Sequence, residues 1–383
     1  MTSINRPVCA NLKVRGMERS FPKQVSTPYS QRAKTNTARS YKTRTDCTKS
    51  PPLPTDKTKP DWAGEHLLSK LVNSAISNAV LYEGIMKPMA RRTMITTAEK
   101  NGVMWRTNVA TLEETRDVYT IYNEIKDTSM EYPEYYLQPF HAYTEGNLCW
   151  QAAFEAESAT YAMALRAWPK EALQWEEAQD RLRDSYVRNI KEHIQEHNLA
   201  SPLRIVDAGC SVGISTRSIH ESFPEAEMIG LDLSTHMLAV AAYRDANETS
   251  MIQRVPAENK SLKQRRNWVH KKAEDTGFET SSMDLFSLSF VLHELPQQAT
   301  RDVIAEAARV LRPGGVFVMC DNNPLSAVIQ NLPPVIFTLM KSTEPHSDEY
   351  FSFNMEQALR DAGFTQVHTE IMDPRHRIVL ATR

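Results

Sequence analysis

A short run with two glycines and one acid lies where a predicted strand ends and a predicted helix begins. Residues 206–213 read VDAGCSVG, and the predicted helix begins near Ile214. Glycine lets the backbone approach a ligand closely, and the first turn of a helix offers unpaired N–H groups to a carboxylate. A second acid, Asp232, ends the next predicted strand, 25 residues after Asp207. Two acids and a glycine loop at neighbouring strand ends predict a binding site for a small ligand.

These residues need a sheet to bring them together, and the second half of the chain has the pattern of one. After Pro202, short β-branched or apolar runs alternate with helical runs, which is typical of a doubly wound α/β sheet. The predicted strands are 203–207, 227–232, 267–270, 283–289, 315–321, 366–372 and 377–381. Residues 247–266 are polar and basic, so we expect an inserted surface loop there.

The first half of the chain predicts helices and loops. A proline-rich stretch ends at Pro60, and Trp62 opens the first segment with regularly spaced apolar residues. The predicted helices are 67–81, 88–100, 112–127, 148–168 and 171–197. The sequence therefore predicts three parts: a leader at 1–60, a helical region at 61–200 that caps the sheet and helps to bind substrate, and an α/β domain at 201–383.

The α/β domain resembles the class I S-adenosylmethionine-dependent methyltransferase family. The loop at 206–213, Asp232, the segments 273–275 and 283–289, and the turn at 308–315 (ARVLRPGG) stand in the order usual for that family. The resemblance implies a Rossmann-like, seven-stranded, doubly wound sheet and S-adenosyl-L-methionine as cofactor. Residues 290–296 (FVLHELP) resemble the small-molecule methylases of the family, and the chain is similar to plant and algal chloroplast methyltransferase-like proteins.

The resemblance also implies which residues hold the cofactor. Asp207 and the glycine loop would surround its methionine part. Asp232 would accept hydrogen bonds from both ribose hydroxyls, because a carboxylate offers two acceptor oxygens to a diol. Lys272 stands where an acid often contacts the adenine amino group, so Glu274 or a backbone carbonyl would make that contact. The expected cofactor-binding residues are Asp207, Gly209, Cys210, Ser211, Gly213, Asp232, Leu233, Met237, Ala273, Glu274 and Ser289.

Four further features each have a functional and a structural interpretation. His293 is a candidate general base, since the usual histidine pKa lies near working pH, but it could instead pack over the cofactor or cap the next helix. Residues 321–324 (DNNP) could contact substrate or form a capping turn. The aromatic run at 134–143 could wall a pocket or join the helical region to the sheet. The apolar run at 331–340 is typical of core, but could line a pocket or make peripheral membrane contact.

Charge is unevenly distributed along the chain. Residues 1–60 hold 13 Lys and Arg against three acids, a net charge of +10, whereas the rest hold 32 basic and 44 acidic residues, a net charge of −12. A basic, Ser/Thr-rich segment without an apolar core is typical of an organellar transit peptide, although a disordered tail would look the same. The acidic remainder argues against nucleic acid as a partner. The five cysteines show no C-x-x-C pair, so they indicate neither a zinc site nor a disulfide framework.

Together these patterns predict an enzyme that transfers a methyl group from S-adenosylmethionine to a small, apolar or aromatic acceptor in a plastid or, alternatively, a mitochondrion. No metal ligand and no protein partner is evident from the sequence. A nicotinamide-dependent oxidoreductase is disfavoured, because such enzymes carry G-x-G-x-x-G directly after the strand, whereas the glycines of this loop, Gly209 and Gly213, do not have that spacing. The main alternative is a methyltransferase-like protein that binds the cofactor for regulation or assembly without catalysis.

Overall fold

The computed structural model describes residues 87–141, 143–168, 170–247, 265–332 and 343–383 of the 383-residue chain. The helices in these ranges are α1 Lys87–Lys100, α2 Trp105–Glu113, α3 Arg116–Ile125, α4 Trp150–Leu165, α5 Trp175–Glu196, α6 Ile214–Ser222, α7 Thr235–Asn247, α8 Gln297–Val310, α9 Ala327–Gln330, α10 Ser347–Ser352 and α11 Met355–Asp361. The strands are β1 Arg204–Ala208, β2 Glu227–Asp232, β3 Arg266–His270, β4 Met283–Ser289, β5 Leu311–Asn322, β6 Thr365–Ile371 and β7 His376–Thr382. Short 3-10 helices cover Glu134–Leu137 and Leu292–Glu294.

The seven strands form one sheet in the order β3-β2-β1-β4-β5-β7-β6. Strands β1 to β5 run parallel, and β7 runs antiparallel to both of its neighbours. The order of the strands reverses between β1 and β4, and in open α/β sheets ligands bind at such a point, beyond the carboxyl ends of the strands. Asp232 ends β2, and Asp321 is the next-to-last residue of β5, so both acids lie at that edge.

Helices cover both faces of the sheet, which explains why its central strands are apolar throughout. On β1, Val206 packs in the cluster that includes Val303 of α8, whereas the neighbouring Ile205 packs on the opposite face with Leu182 of α5. All four side chains are at most 1% exposed. Side chains alternate between the faces of a strand, so a strand covered on both sides needs a continuous apolar run. This burial fixes the strand ends that carry the functional residues.

The helical region packs against the sheet domain through α7. Val118 of α3 and Phe154 of α4 share a buried apolar cluster with Val240 of α7. Arg244 of α7 lies 2.6 Å from Glu157 of α4, and both side chains are at least nine-tenths buried. A buried ion pair of this kind is costly to break, because removal of one partner leaves an unpaired charge in the interior. The two parts of the described chain therefore share an apolar and a charged contact.

The predicted elements agree closely with the structure, with one correction. The predicted helix at 112–127 is wrong, because two separate helices, α2 and α3, cover this region and meet at Thr115. Thr115 adopts an extended backbone with φ −87° and ψ 105°, which ends the helical ladder. The predicted helix at 67–81 and the leader at 1–60 lie outside the described residues, as do most of the inserted loop at 247–266 and of the apolar run at 331–340. Among the described residues, no helix is long and apolar enough to span a membrane.

Candidate active site

The glycine loop between β1 and α6 has three residues in the left-handed backbone region. These are Gly209 (φ +68°), Ser211 (φ +50°) and Gly213 (φ +78°). Glycine adopts this region without the steric cost that a Cβ brings, and Ser211 must bear that cost. A Cβ on Gly213 would also lie 2.3 Å from the ring of Trp268 in β3. The sequence therefore folds into a tight loop whose last glycine leads into α6.

The Asp207 side chain stabilises this loop through hydrogen bonds. Its carboxylate is fully buried and accepts hydrogen bonds from the hydroxyls of Ser215 and Thr216, both at 2.7 Å, and of Ser287 at 2.8 Å. Burial raises the pKa of Asp207, and the three hydroxyl donors oppose that shift. Asp207 thus links β1 to α6 and β4, while its contribution to cofactor binding stays a prediction.

Asp232 lies directly beside the loop. One carboxylate oxygen accepts a 2.7 Å hydrogen bond from the Ser211 N–H, and the other accepts a 2.7 Å hydrogen bond from the Ser234 N–H. Burial raises the pKa of Asp232 to about 6, although the two backbone donors favour the charged form. The Tyr136 side chain also hydrogen-bonds this carboxylate. A carboxylate has about four acceptor positions, so a ligand diol at Asp232 would take the remaining position and the one that Tyr136 occupies.

The other predicted cofactor residues surround Asp232 and the loop. The Ser211 hydroxyl lies 3.5 Å from the Met237 sulfur, and Leu233 and Ala273 are buried next to the edge. Burial raises the pKa of the Cys210 thiol well above its usual value, so this cysteine is neutral. Ser289, at the end of β4, accepts a 3.0 Å hydrogen bond from Arg183 of α5. No local sequence pattern indicated the Arg183 contact, because α5 and β4 lie far apart in the chain.

Glu274 meets a tyrosine from the helical region. The Tyr135 hydroxyl donates a hydrogen bond to the Glu274 carboxylate. Burial and the adjacent Glu274 charge raise the pKa of Tyr135, so its hydroxyl stays protonated. Lys272, by contrast, forms an isolated backbone bridge with Asp275. Glu274 thus connects the sheet edge to the helical region, and its contact with adenine stays a prediction.

His293 forms a buried pair with Asp321. Its Nδ1 lies 2.9 Å from one carboxylate oxygen of Asp321, and its backbone N–H donates to the other at 3.1 Å. His293 is 7% exposed and Asp321 is 0% exposed. Burial alone would lower the pKa of His293, but the Asp321 charge outweighs burial and raises that pKa to about 10. The side chain caps no helix, since the N-cap of α8 is Pro296. An acid that orients an imidazole in this way is a common arrangement around a general base.

The polar turn after β5 combines both interpretations that the sequence left open. Asp321 pairs with His293, whereas the Asn323 side chain accepts a 3.0 Å hydrogen bond from the Leu325 N–H. Ser326 caps α9 by accepting from the N–H groups of Val328 and Ile329. One residue of the turn thus belongs to the site, and its neighbours shape the turn.

The segment from Tyr132 to Asn147, here called the covering segment, lies across the carboxyl edge of the sheet. Asn147 connects two strand ends, because its backbone carbonyl accepts from the Ser234 hydroxyl at 2.7 Å and its amide donates to Glu294 at 3.0 Å. The Tyr135 bond to Glu274 holds the segment nearer its start. The aromatic run therefore joins the helical region to the sheet and also lies along one side of the predicted site.

Glu294 was missed by sequence reasoning, although it follows the flagged His293. His141 Nε2 lies 3.8 Å from its carboxylate, and burial raises the pKa of Glu294 to about 8 against the opposing charge of His293. One ligand atom from each of His141, His293 and Glu294 lies within 4.8 Å of the others, close enough to hold a cation. The edge beyond β4 therefore carries several proton-exchanging groups.

Comparison with known proteins identifies the sheet domain. Residues 206–319, from β1 into β5, match the family described as a methyltransferase domain. This part of the chain is a class I S-adenosylmethionine-dependent methyltransferase domain. The methyltransferase domain contains the glycine loop, Asp232 and His293, and the match confirms the predicted fold, family and class of cofactor.

Two bacterial relatives illustrate how far the similarity extends. A ubiquinone/menaquinone biosynthesis C-methyltransferase from Dinoroseobacter shibae is 30% identical over 122 residues, covering 32% of this chain and 43% of the relative. A trans-aconitate 2-methyltransferase from Methylobacterium radiotolerans is 31% identical over 139 residues, covering 36% and 45%. The chain thus spans less than half the length of these two relatives. A solved Haemonchus contortus phosphoethanolamine N-methyltransferase 2 in complex with S-adenosyl-L-methionine is 16% identical, with a TM-score of 0.38 over 57% of this chain and 60% of that one.

Proposed function

We propose that this chain transfers a methyl group from S-adenosylmethionine to a small acceptor held between the carboxyl edge of the sheet and the covering segment. The observation that carries the proposal is the buried Asp232 carboxylate, hydrogen-bonded to the loop at Ser211 and beside the covering segment. The residues fit the cofactor, because a carboxylate with two acceptor oxygens suits a ribose diol, and a bound diol can replace the Tyr136 contact. The first turn of α6, after Gly213, offers N–H groups to the amino-acid carboxylate.

The residues of the chain then have distinct tasks. When bound, the cofactor supplies an electrophilic methyl group on a sulfonium. The loop and Asp232 hold and orient it, and the covering segment excludes water from the crevice. Much of a methyl transfer depends on alignment of nucleophile and methyl carbon, which binding in a fixed geometry provides. With its Nδ1 directed at Asp321, a neutral His293 takes the proton of an acceptor hydroxyl or amine at Nε2.

The walls of the crevice support an acceptor with an aromatic or apolar body and a polar reacting group. Tyr132 and Tyr136 stack with ring planes 6° apart, and the rings of Phe140 and His141 meet edge to face at 4.3 Å. Aromatic walls with a few polar groups are typical of small-molecule pockets. His141 and His293, whose ring centroids lie 6.3 Å apart, provide polar groups at one end of this wall.

A paired assay tests catalysis against cofactor binding alone. Purified protein would first be analysed by mass spectrometry for co-purifying S-adenosylmethionine or S-adenosylhomocysteine. It would then be assayed for methyl transfer with extracts of small plastid and of small mitochondrial metabolites. We expect bound cofactor and a methylated product whose formation falls at least about tenfold in His293→Gln, since general-base catalysis is worth 10²–10⁴-fold. Bound cofactor without any product in plastid or mitochondrial extract would support the regulatory alternative.

We also propose that the chain works in a plastid. The support is the +10 charge of residues 1–60 and their low content of acids. Fusion of residues 1–60 to a fluorescent reporter should direct the reporter to plastids. A mitochondrial signal would favour the alternative organelle. A diffuse cytosolic signal would contradict the proposal that residues 1–60 direct the chain to an organelle.

A further inference from the structure

Three histidines meet at the edge of the sheet opposite to the candidate active site. His193 lies in the last turn of α5, His197 follows directly after that helix, and His368 lies on the edge strand β6. One ring nitrogen from each lies within 4.8 Å of the other two. We call these residues the histidine cluster. His193 also contacts Thr382, whose β5 partner is Val316 near the start of the parallel part of that strand, so the cluster lies at the amino edge.

The spacing of the three rings suits a metal ion. The centroid of His193 lies 4.6 Å from that of His197 and 5.1 Å from that of His368, and the remaining distance is 6.4 Å. Tetrahedral zinc with Zn–N bonds of about 2.0–2.1 Å holds the centroids of two imidazoles about 5 Å apart. Small side-chain rotations therefore suffice to direct the three nitrogens at one ion.

The rings of His368 and His193 each make a hydrogen-bond contact of the kind that orients metal-binding histidines. His368 Nδ1 lies 3.2 Å from the Gln366 carbonyl oxygen, which can only accept, so Nδ1 carries the hydrogen and a neutral ring has its lone pair on Nε2. His193 Nε2 lies 2.9 Å from the Thr382 hydroxyl. Metal-binding histidines commonly hold their second ring nitrogen in such a contact, which fixes the tautomer and the ring orientation.

His193 gives a second, independent observation. Its side chain is 1% exposed, and its Nδ1 has no hydrogen-bond partner among the described residues. A buried polar atom without a partner is costly, and such atoms often indicate a water or an ion.

We propose that His193, His197 and His368 bind one Zn²⁺ ion through three imidazole nitrogens, with water as the fourth ligand. Imidazole nitrogen suits zinc and its neighbours in the first transition series. The ion would tie α5 to the edge strand β6, far from the carboxyl edge, so its role is structural. The proposal is independent of the proposed methyl transfer. The sequence contained part of the signal in the four-residue spacing from His193 to His197, but His368 is 171 positions further on.

Zinc binding can be measured directly on the full-length protein, purified without a histidine tag and stripped with a chelator. Competition with a chromogenic chelator gives the number and affinity of Zn²⁺ sites, and Co²⁺ absorption reports whether the ion is four-coordinate. The test variants are His197→Ala and His368→Ala, both of partly exposed residues. The controls are Gln195→Ala, an exposed residue between the two helix histidines, and His141→Ala, which removes a ligand of the other possible cation site.

We expect one tight Zn²⁺ equivalent in the wild type and in both controls, with the intense visible bands of four-coordinate Co²⁺. Either test variant should weaken that equivalent at least about tenfold, as changes around metal ligands commonly do. Zn²⁺ should raise the melting temperature of the wild type and of Gln195→Ala, but not that of the test variants, because an ion that binds only the folded state stabilises it. Failure of the wild type to bind Zn²⁺, or equal binding by all variants, would overturn the proposal.

Discussion

Nδ1 of His293 lies 2.9 Å from a carboxylate oxygen of Asp321; His293 lies in the short helix that follows β4, and Asp321 lies near the end of the neighbouring strand β5. Because Asp321 is charged and buried, it favours the protonated imidazole and raises the pKa of His293. A general base works only when it is neutral. The pair therefore couples the proposed catalysis to pH in a direction that can be measured.

Methyl transfer should accelerate as the pH rises from 7, since the pKa of His293 is raised to about 10 and the neutral fraction grows towards that value. Asp321→Asn removes the charge that raises this pKa. The apparent pKa of single-turnover rates should then fall by at least about one unit, within the range that a single neighbouring charge produces. His293→Gln should abolish the pH dependence. An identical profile in wild type and Asp321→Asn would show that His293 is not the titrating base.

Asp232→Ala should weaken S-adenosylmethionine binding by at least about tenfold, because it removes two charge-assisted hydrogen bonds, each of about 1.5–3 kcal/mol. Asp232→Asn should be milder, since it keeps one acceptor oxygen. In the wild type, affinity should fall as the pH drops through about 6, where burial has raised the pKa of this carboxyl and protonation removes the acceptor. Calorimetry on the three proteins measures both effects. Unchanged affinity in Asp232→Ala would mean that the cofactor binds elsewhere.

Gly213→Ala should lower both the melting temperature and the cofactor affinity. The new Cβ would lie 2.3 Å from the Trp268 ring, at a backbone φ of +78° that costs a non-glycine residue about 1–2 kcal/mol. Ser211→Gly is the matched control in the same loop, because it relieves a positive φ of +50°. Thermal unfolding with and without cofactor should show a loss for the first variant and no loss for the second. A stable, fully binding Gly213→Ala would refute the close approach of Trp268.

Tyr135→Phe should speed cofactor release without loss of fold, because it removes the hydroxyl that bonds Glu274 and keeps the ring. Stopped-flow displacement should show a release rate several-fold above wild type, as expected for a net hydrogen-bond contribution of about 0.5–1.5 kcal/mol. Tyr119→Phe is the control, since its hydroxyl donates to the exposed Glu113 carbonyl, away from Glu274. Equal release rates in both variants would show that the covering segment does not hold the ligand.

Local sequence pattern was sufficient to predict the sheet. The bounds of β2 and β4 agree with the prediction to the residue, because each is a buried apolar run that ends in polar residues at the ligand edge. The helix α2 was missed, since only Trp105 and Leu112 of its nine residues are buried and its apolar stripe is weak. The periodicity of apolar residues is clear in buried elements and weak in a helix that is mostly exposed, so it predicts the former better than the latter.

The candidate site was predicted residue by residue, but its pairings were not. Asp232, Glu274 and His293 each stand at a strand end that the pattern identified. The contact of His293 with Asp321 depends on β4 and β5 being neighbours, and that of Tyr135 with Glu274 spans 139 positions. Such contacts follow from strand order and from the packing of the helical region, neither of which a local pattern contains.

Hydrogen bonds at Tyr132, Tyr135 and Asn147 hold the covering segment to the sheet edge, and Tyr135 also packs against the core. Each hydrogen bond contributes only about 0.5–1.5 kcal/mol, so the segment is held less firmly than the apolar sheet core. Where opening of such a segment limits product release, turnover is set by the opening and not by the chemical step. Acceptors that differ widely in intrinsic reactivity should therefore converge on one common maximal turnover, set by the exchange of spent cofactor.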